Sequence, residues 1–278
     1  MRITTAALVL GMATASALAV PIPSGNYYTD VVGGGIGSAL IMTGGGSGAN
    51  VGFSRNDDGF SGPIALGFTL NYFGTDFTHF YANNNGNISF GAGVSTFTPS
   101  PLDETSIAPM IAPYWADVDT RNAASDLMYL RTDSDQIIVT WDQVGYYGSH
   151  ADKLASFQLV LRGPDYVVPA DEGQIGFFFK TVGWETGDAS GGSGGFGGTE
   201  ATVGFGDGLA AVNTGEISLA GSQQAGISGI VTNNHYWFNL GAGGIPEEND
   251  NNVPEPATIA LFGLGLAGLS MVRRRKTA

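Results

Sequence analysis

Short apolar runs, several with strict alternation of apolar and polar positions, recur along the middle of the chain and are separated by Gly, Asn and Asp. In one run Phe157, Leu159 and Leu161 share one side of an extended chain. Gln158 and Arg162 fall on the other side, and this period of two is typical of a half-buried β-strand. No segment between residues 20 and 252 has a long apolar stripe at the helical period. The pattern predicts strands over 64–72, 77–82, 87–90, 127–131, 137–144, 154–162, 174–182, 202–205 and 236–240.

Turn signals between these runs favour an all-β fold. Asn83-Asn84-Asn85-Gly86 predicts a hairpin, because Asn and Gly tolerate positive φ. The triplet at 133–135 (DSD) predicts a second hairpin tip. We expect a single β-sandwich or barrel-like domain over 64–244. A Gly-rich extension at 20–63 precedes it, with partly ordered edge strands. A flexible loop is predicted at 187–198 and an acidic linker at 245–252.

The first 19 residues have the layout of a secretory signal peptide. Arg2 precedes an apolar stretch at 6–13, and small residues at 17 and 19 precede Val20-Pro21. We expect signal peptidase to cleave after Ala19. A short amphipathic first helix is the competing interpretation.

An uncharged apolar run at 257–272 is followed directly by Arg273, Arg274, Arg275 and Lys276. As a helix it would span about 24 Å, slightly less than a usual hydrocarbon core of about 30 Å. We expect a transmembrane helix whose basic end stays in the cytoplasm, leaving the preceding chain outside. The competing interpretation is a buried core helix, which fits the adjacent cations poorly.

Residues 253–278 contain Pro254-Glu255-Pro256, the apolar run and the basic cluster in that order. This arrangement resembles the PEP-CTERM sorting signal of Gram-negative bacteria. The resemblance implies recognition by a membrane protease of the exosortase type, which removes the tail. The protein would be anchored in the inner membrane by its C-terminal helix and then delivered to the cell surface or extracellular matrix. Pro254, Glu255 and Pro256 would be the processing site of a substrate.

Charge and composition exclude several functions. The 278 residues include 11 basic and 25 acidic ones, and a net charge of -14 argues against nucleic-acid binding. The chain has no cysteine, which excludes disulfides, thiolate metal sites and thiol catalysis. Residues 20–252 hold six basic and 24 acidic residues, a net charge of -18. Such a domain stays soluble by self-repulsion and attracts cations.

A second resemblance covers roughly residues 73–207. Its motifs are NGNISFG at 85–91, APMIAPYWADVD at 108–119, IVTWDQVGYY at 138–147, FQLVL at 157–161 and GW at 183–184. They are similar to the extracellular domain shared with nidogen (NIDO). The resemblance implies an extracellular β domain associated with cell–matrix adhesion, without an active site to transfer. Animal members stand among disulfide-bonded modules, whereas this chain lacks cysteine, so the resemblance identifies no specific partner.

Asp117 and Asp119, with Asp126 nearby, are the best candidates for a metal site, because calcium binds several oxygens within one loop. The EF-hand pattern fails, since Arg121 occupies the third ligand place. Asp residues at the ends of strands more often cap turns through backbone hydrogen bonds. The turn interpretation is therefore favoured, and calcium remains the alternative.

Several short segments match motifs of catalysis or nucleotide binding in residue type, but they lack the structural context that these motifs need. GGSGG at 191–195 matches G-x-S-x-G, but both flanks are predicted as loop, whereas a nucleophile elbow needs a strand and a helix. The glycine fingerprints at 192–197 and 263–268 lie in no βαβ unit. His79, His150 and His235 fall in separate segments without ligand spacing.

Asp142 and Glu185 each follow a tryptophan, an order that would suit a sugar site with a carboxylate beside an aromatic ring. Trp141 and Trp184 are predicted instead as core or sheet-edge aromatics. We therefore assign neither acid a catalytic role.

The sequence predicts an exported, non-enzymatic surface protein without a cofactor, which acts in adhesion or as a component of an exopolysaccharide or biofilm matrix. Its expected partners are signal peptidase, an exosortase-type protease, the membrane before cleavage, and extracellular polysaccharide or other matrix components. No nucleic acid is expected. The alternative is a carbohydrate-binding module, with or without calcium, that uses exposed Tyr146, Tyr147 and Trp184.

Overall fold

The computed structural model describes residues 22–23, 27, 35–46, 51–104 and 106–249. The predicted signal peptide with Ala19 and the predicted sorting tail at 253–278, including the transmembrane segment at 257–272, lie outside the described residues. Within these described ranges, no helix has the length and apolar character needed to cross a membrane.

The described chain is built from β-strands with very little helix. Its one described α-helix, α1, spans Ile227–Val231, and 3₁₀ turns occupy Leu102–Glu104, Asp188–Ser190 and Ala242–Gly244. The strands in chain order are β1 Ile22–Pro23, β2 Ser38–Ala39, β3 Gly44–Gly45, β4 Gly59–Phe60, β5 Ile64–Tyr72, β6 Thr75–Asn83, β7 Asn87–Ser89, β8 Met110–Trp115, β9 Val118–Asp119, β10 Met128–Thr132, β11 Gln136–Tyr146, β12 His150–Arg162, β13 Ile175–Val182, β14 Thr202–Gly206, β15 Ile217–Ser218, β16 Asn234–Leu240 and β17 Pro246–Glu248.

The strands form two antiparallel sheets. The nine-stranded sheet has the order β1-β16-β13-β12-β11-β10-β2, with β17 beside β16 and β9 beside β11. The eight-stranded sheet has the order β15-β14-β8-β7-β6-β4-β3, and β5 pairs with β6. The all-β fold class is therefore confirmed. Residues 20–63 supply β1 to β4, of which β2 and β3 are the last strands of the two sheets and β4 lies between β3 and β6.

Both sheets contribute to one apolar core. Phe177 on β13 stacks on Phe205 on β14 with ring centroids 5.2 Å apart, and Tyr114 on β8 lies 5.3 Å from Phe157 on β12. Aromatic pairs of this kind add to the stabilisation that burial of their surface provides. The two sheets are thus packed through their inner faces.

The predicted strands all appear, with ends shifted by a few residues. β5 has the predicted bounds, because its alternation of exposed and buried positions follows the period of two. β8 was missed: all six of its residues are buried, so it shows no alternation, and it contains Pro113. A second apolar cluster that includes Met110 and Ala112 contributes to this burial.

The hairpin between β6 and β7 is confirmed, and its tip is buried. Asn84 and Asn85 are both 0% exposed. The Trp141 indole N–H donates to the Asn84 carbonyl at 3.0 Å. Gly86 has φ 77°, and a Cβ at this position would lie 1.8 Å from the Tyr114 carbonyl oxygen. Glycine is therefore required here by both the backbone angle and the available space.

Two segments differ from the sequence expectations. Residues 187–198, expected to be flexible, are tied back by hydrogen bonds: the Glu185 N–H donates to the Gly195 carbonyl at 2.7 Å, and the Thr199 N–H donates to the Ser190 carbonyl at 2.9 Å. Residues 246–248, expected to belong to a linker, form β17 at the edge beside β16. In both cases backbone groups are paired within the loop or with the strand directly before it, which a composition rich in Gly or in acidic residues does not reveal.

Candidate functional site

Three aspartates from two segments meet at one place in the described structure. Asp57 and Asp58 lie in the turn just before β4, and Asp117 lies in the turn between β8 and β9. Each offers one carboxylate oxygen, and these oxygens all lie within 4.8 Å of one another. An antiparallel bridge between Asp57 and Asp119 brings the two segments together. We call Asp57, Asp58 and Asp117 the acidic cluster.

The buried hairpin tip fixes the position of Asp58. The Asn84 Oδ1 accepts a hydrogen bond from the Asp58 backbone N–H at 3.2 Å. The Asn85 Nδ2 donates to Asp58 Oδ1 at 2.8 Å, while the Asn85 Oδ1 accepts from the Val118 N–H at 2.9 Å. Asn85 thereby joins the Asp58 turn to the turn that carries Asp117.

The Asp117 carboxylate is buried and accepts no hydrogen bond from any described residue. Its side chain is 1% exposed, and neither of its carboxylate oxygens has a hydrogen-bond partner among the described residues. A Cβ at Gly187 would lie 2.4 Å from Asp117 Oδ2, so the backbone of the 187–198 loop covers this carboxylate closely. A buried ionised carboxylate without partners is unfavourable unless it is protonated or meets a cation.

The electrostatics of the cluster follow from this geometry. Burial, followed by repulsion from Asp58 and Asp57, raises the pKa of Asp117 to about 8. Burial, followed by repulsion from Asp119, raises the pKa of Asp57 to about 7. The positive charge of Arg121 opposes both pKa shifts. Its guanidinium forms salt bridges with Asp119 at 2.6 Å and with Asp57 at 3.0 Å. The carboxyl groups of the cluster therefore keep their protons to higher pH than ordinary aspartates do, and a bound cation would favour their ionised form.

Of the three aspartates singled out from the sequence, the structure places one in the cluster. Asp119 accepts hydrogen bonds from the Arg121 Nε at 2.9 Å and from the Ser149 N–H at 2.8 Å. Asp126 accepts from the Tyr129 hydroxyl at 2.8 Å. Asp57 and Asp58 were missed, because they lie far from Asp117 in sequence. The available signal was the run Asn56-Asp57-Asp58-Gly59, which reads locally as a turn.

The aromatic residues considered for sugar stacking belong mostly to the core. Trp184 is 0% exposed and Tyr146 is 1% exposed, whereas Tyr147 is half-buried. Trp141 is also fully buried, stacked on Phe157 with centroids 5.1 Å apart. The two tryptophans are thus core residues, as predicted, and the three proposed rings do not form an exposed platform.

The acids beside the two tryptophans have structural hydrogen bonds. Asp142 Oδ1 accepts from the Tyr27 hydroxyl at 2.7 Å. Glu185, 2% exposed, accepts from the Gly226 N–H at 3.0 Å and from the Ser228 N–H at 2.9 Å, at the start of α1. These hydrogen bonds hold Tyr27 and the start of α1 in place, so both carboxylates have a structural role.

The histidines and the G-x-S-x-G serine do not converge on these acids. His150 stacks on Tyr146, with its Nε2 3.2 Å from Asp188 Oδ2, whereas His235 stacks on Phe178. His79 lies on β6 beside Thr78. Ser193 forms an isolated β-bridge with Phe196 inside the 187–198 loop. It is not placed between a strand and a helix, as a nucleophile elbow requires.

The residues assigned to sorting and processing lie outside the described structure. These are Ala19, Pro254, Glu255, Pro256, Arg273, Arg274 and Arg275. Their roles therefore rest on the sequence alone.

Comparison with known proteins gives two family matches. The NIDO-related family matches residues 41–239, and the PEP-CTERM protein-sorting motif matches residues 252–276. Among curated proteins, mouse alpha-tectorin is 33% identical over 203 residues, which cover 63% of this chain and 9% of that protein. Human alpha-tectorin is 32% identical over the same length and coverage, and chicken alpha-tectorin is 29% identical over 179 residues, covering 55% of this chain and 8% of that protein.

The chain spans less than a tenth of the length of these relatives. No solved structure matches it significantly. The NIDO-related domain and the sorting motif together indicate an extracellular or cell-surface protein. On the match over 41–239, which covers most of the described β domain, this chain belongs to the NIDO-related family.

Proposed function

We propose that the protein is an exported, non-catalytic adhesion or matrix component, which is anchored in the inner membrane by its tail and released to the cell surface or extracellular matrix when an exosortase-type protease cleaves that tail. The observation that carries the proposal is the presence, in one chain, of a NIDO-related domain at 41–239 and a PEP-CTERM sorting motif at 252–276. Extracellular polysaccharide or another matrix component is the proposed partner.

The charge of the chain supports export in a soluble form. Residues 20–252 carry a net charge of -18, which disfavours precipitation and favours contact with cations over contact with anionic polymers. A neutral polysaccharide, or an anionic one bridged by cations, is consistent with this charge.

The side-chain arrangement supports a non-catalytic role. General acid–base chemistry needs a titratable group within reach of a bound substrate. Glu185 anchors α1 and Asp142 accepts from Tyr27, so the two acids that the sequence places beside tryptophans serve the fold.

The proposal is tested by intact mass and cell fractionation. The full chain is expressed in a Gram-negative host that has an exosortase-type protease and, in parallel, in one that lacks it. We expect the first host to yield, in the surface or matrix fraction, a product that lacks residues 1–19 and the tail. The second host should retain the basic tail in its membrane fraction.

A matched pair of variants separates the motif from general charge effects. Glu255→Ala should keep the tail and stay with the membrane in the first host. Glu247→Ala removes an equal charge from the exposed edge strand β17 and should be processed like the parent. Normal processing of Glu255→Ala, or a parent protein recovered at full mass in the cytoplasm, contradicts the proposal.

A further inference from the structure

We propose that Asp57, Asp58 and Asp117 bind a calcium ion between the β4 turn and the β8–β9 turn. This site differs from the set suggested by sequence spacing, because it shares only Asp117 with that set. The inference is independent of the proposed sorting and adhesion, and its test uses calcium binding and thermal unfolding.

The first argument is geometric. The three carboxylates present oxygens within 4.8 Å of one another. Two oxygens that bind one Ca²⁺ at about 2.4 Å are at most about 4.8 Å apart, so the three carboxylates meet this necessary condition for sharing one ion. The shorter bonds of Mg²⁺, about 2.1 Å, and its strict octahedral geometry require closer and more regular ligands. The ligand set contains only oxygen, which suits a hard cation.

The second argument is independent of the clustering. Asp117 is 1% exposed, both of its oxygens lack a hydrogen-bond partner among the described residues, and one of them points to the oxygens of Asp57 and Asp58. Almost all buried polar groups in proteins have a partner, and an exception calls for an explanation, such as an ordered water or an ion. A bound cation would be such a partner.

The neighbouring Arg121 does not meet this need. The Arg121 guanidinium contacts Asp119 at 2.6 Å and Asp57 at 3.0 Å. It therefore pairs with Asp119 and Asp57, whereas Asp117 lies under the backbone of Gly187 without a hydrogen bond from any described residue.

The surroundings hold the ligands in place before an ion arrives. Asn85 fixes the Asp58 carboxylate through its Nδ2 at 2.8 Å and fixes the Asp117 turn through the Val118 N–H at 2.9 Å. Ligands that are already positioned lose less freedom on binding, which strengthens the affinity. An ion at this position would connect the N-terminal turn before β4, the β8–β9 turn and the buried hairpin tip.

The test measures calcium binding to the purified full chain by titration calorimetry in metal-free buffer, together with the thermal unfolding midpoint in EDTA and in calcium. We expect one site with a Kd of about 10⁻⁴–10⁻³ M or tighter, the range of extracellular calcium modules, and a higher midpoint in calcium. Mg²⁺ should shift the midpoint less. A chain without calorimetric heat or midpoint shift at millimolar calcium, or with an equal response to Mg²⁺, overturns the assignment.

Asp117→Asn keeps the side-chain shape and removes the uncompensated charge. We expect this variant to fold at least as stably as the parent in EDTA, to bind calcium at least about tenfold more weakly, and to lose the calcium-dependent midpoint shift. Asp126→Asn removes a carboxylate outside the cluster and should bind calcium like the parent. Parent-like binding by Asp117→Asn, or loss of binding only in Asp126→Asn, overturns the proposal.

Discussion

At the scale of single residues, Gly86 shows how one position can be fixed by two independent constraints. Its φ of 77° lies in the left-handed region, and the Tyr114 carbonyl occupies the place of a Cβ. The same backbone angle occurs at Gly74, where nothing lies within 4 Å of a Cβ. The two glycines therefore separate the cost of the backbone angle from the cost of the steric clash.

Gly86→Ala should lower the free energy of unfolding by more than about 3 kcal/mol, because backbone strain and overpacking act together. Gly74→Ala carries the backbone strain alone and should cost about 1 kcal/mol. Urea unfolding of both variants measures the difference. Equal losses would mean that the hairpin moves away from Tyr114 at little cost.

The hairpin could be predicted from Asn85-Gly86, because turn chemistry is local. The burial of its tip could not, since the partners of Asn84 and Asn85 are Trp141, Asp58 and Val118, which lie in other segments. The acidic cluster was likewise not predictable, because its members come from segments that are far apart in sequence. Sequence spacing favours neighbours such as Asp119, whereas the fold supplies Asp57 and Asp58 from a distant turn.

At the scale of elements, the short helix α1 is stabilised by hydrogen bonds to a residue that lies outside it. A helix of five residues is unstable alone, because too few hydrogen bonds offset the cost of its nucleation. The buried Glu185 carboxylate accepts from the first backbone N–H groups of this turn and from the Ser228 hydroxyl at 2.6 Å. The helix thereby depends on a residue that follows β13.

Glu185→Gln should destabilise the protein by about 1–3 kcal/mol, because an amide NH₂ would face backbone donors in a buried place. Hydrogen exchange at the Gly226 and Ser228 amides should accelerate more than exchange in the sheets. Glu247→Gln, on the exposed edge strand β17, should stay within about 0.5 kcal/mol of the parent. Unchanged exchange at these two amides would argue against the anchoring role.

Strands differ in how well the sequence predicts them. β5 has one face in the core and one in solvent, so its residues alternate and its bounds are readable. β8 is buried along its whole length, and a run such as Met110–Trp115 carries no period. β1 to β4, β9 and β15 have two residues each, and pairing partners elsewhere in the chain define them. β17, which sequence composition assigned to a linker, is defined by its pairing with β16, the strand directly before it.

At the scale of the whole molecule, the charge of the β domain opposes its compact state. Residues 20–252 carry a net charge of -18. Self-repulsion of this size destabilises the folded state, and salt screens it over a Debye length that falls from about 30 Å to below about 8 Å between dilute and concentrated buffers.

Raising NaCl from about 10 mM to about 300 mM in EDTA should therefore raise the unfolding midpoint of the full chain by about 2–4 °C, equal to about 1 kcal/mol for a chain of this size. Calorimetry measures the midpoint. The same comparison near pH 4, where carboxylates lose much of their charge, should give a smaller shift. A salt response that is equal at both pH values would not come from carboxylate repulsion.

The buried hairpin tip also bears on how the protein ages after export. In an exposed Asn-Gly pair, the glycine backbone nitrogen attacks the side-chain carbonyl carbon of the asparagine, ammonia leaves and a succinimide ring closes. Water then opens this ring and leaves a carboxylate. Here the Gly86 N–H donates to the Asn84 carbonyl at 2.8 Å, and the Asn85 side chain is held at both ends by Asp58 and Val118. Folding thus protects Asn85 from deamidation. A molecule that opened long enough to deamidate would gain a further carboxylate beside Asp58, next to three aspartates that already lie close together.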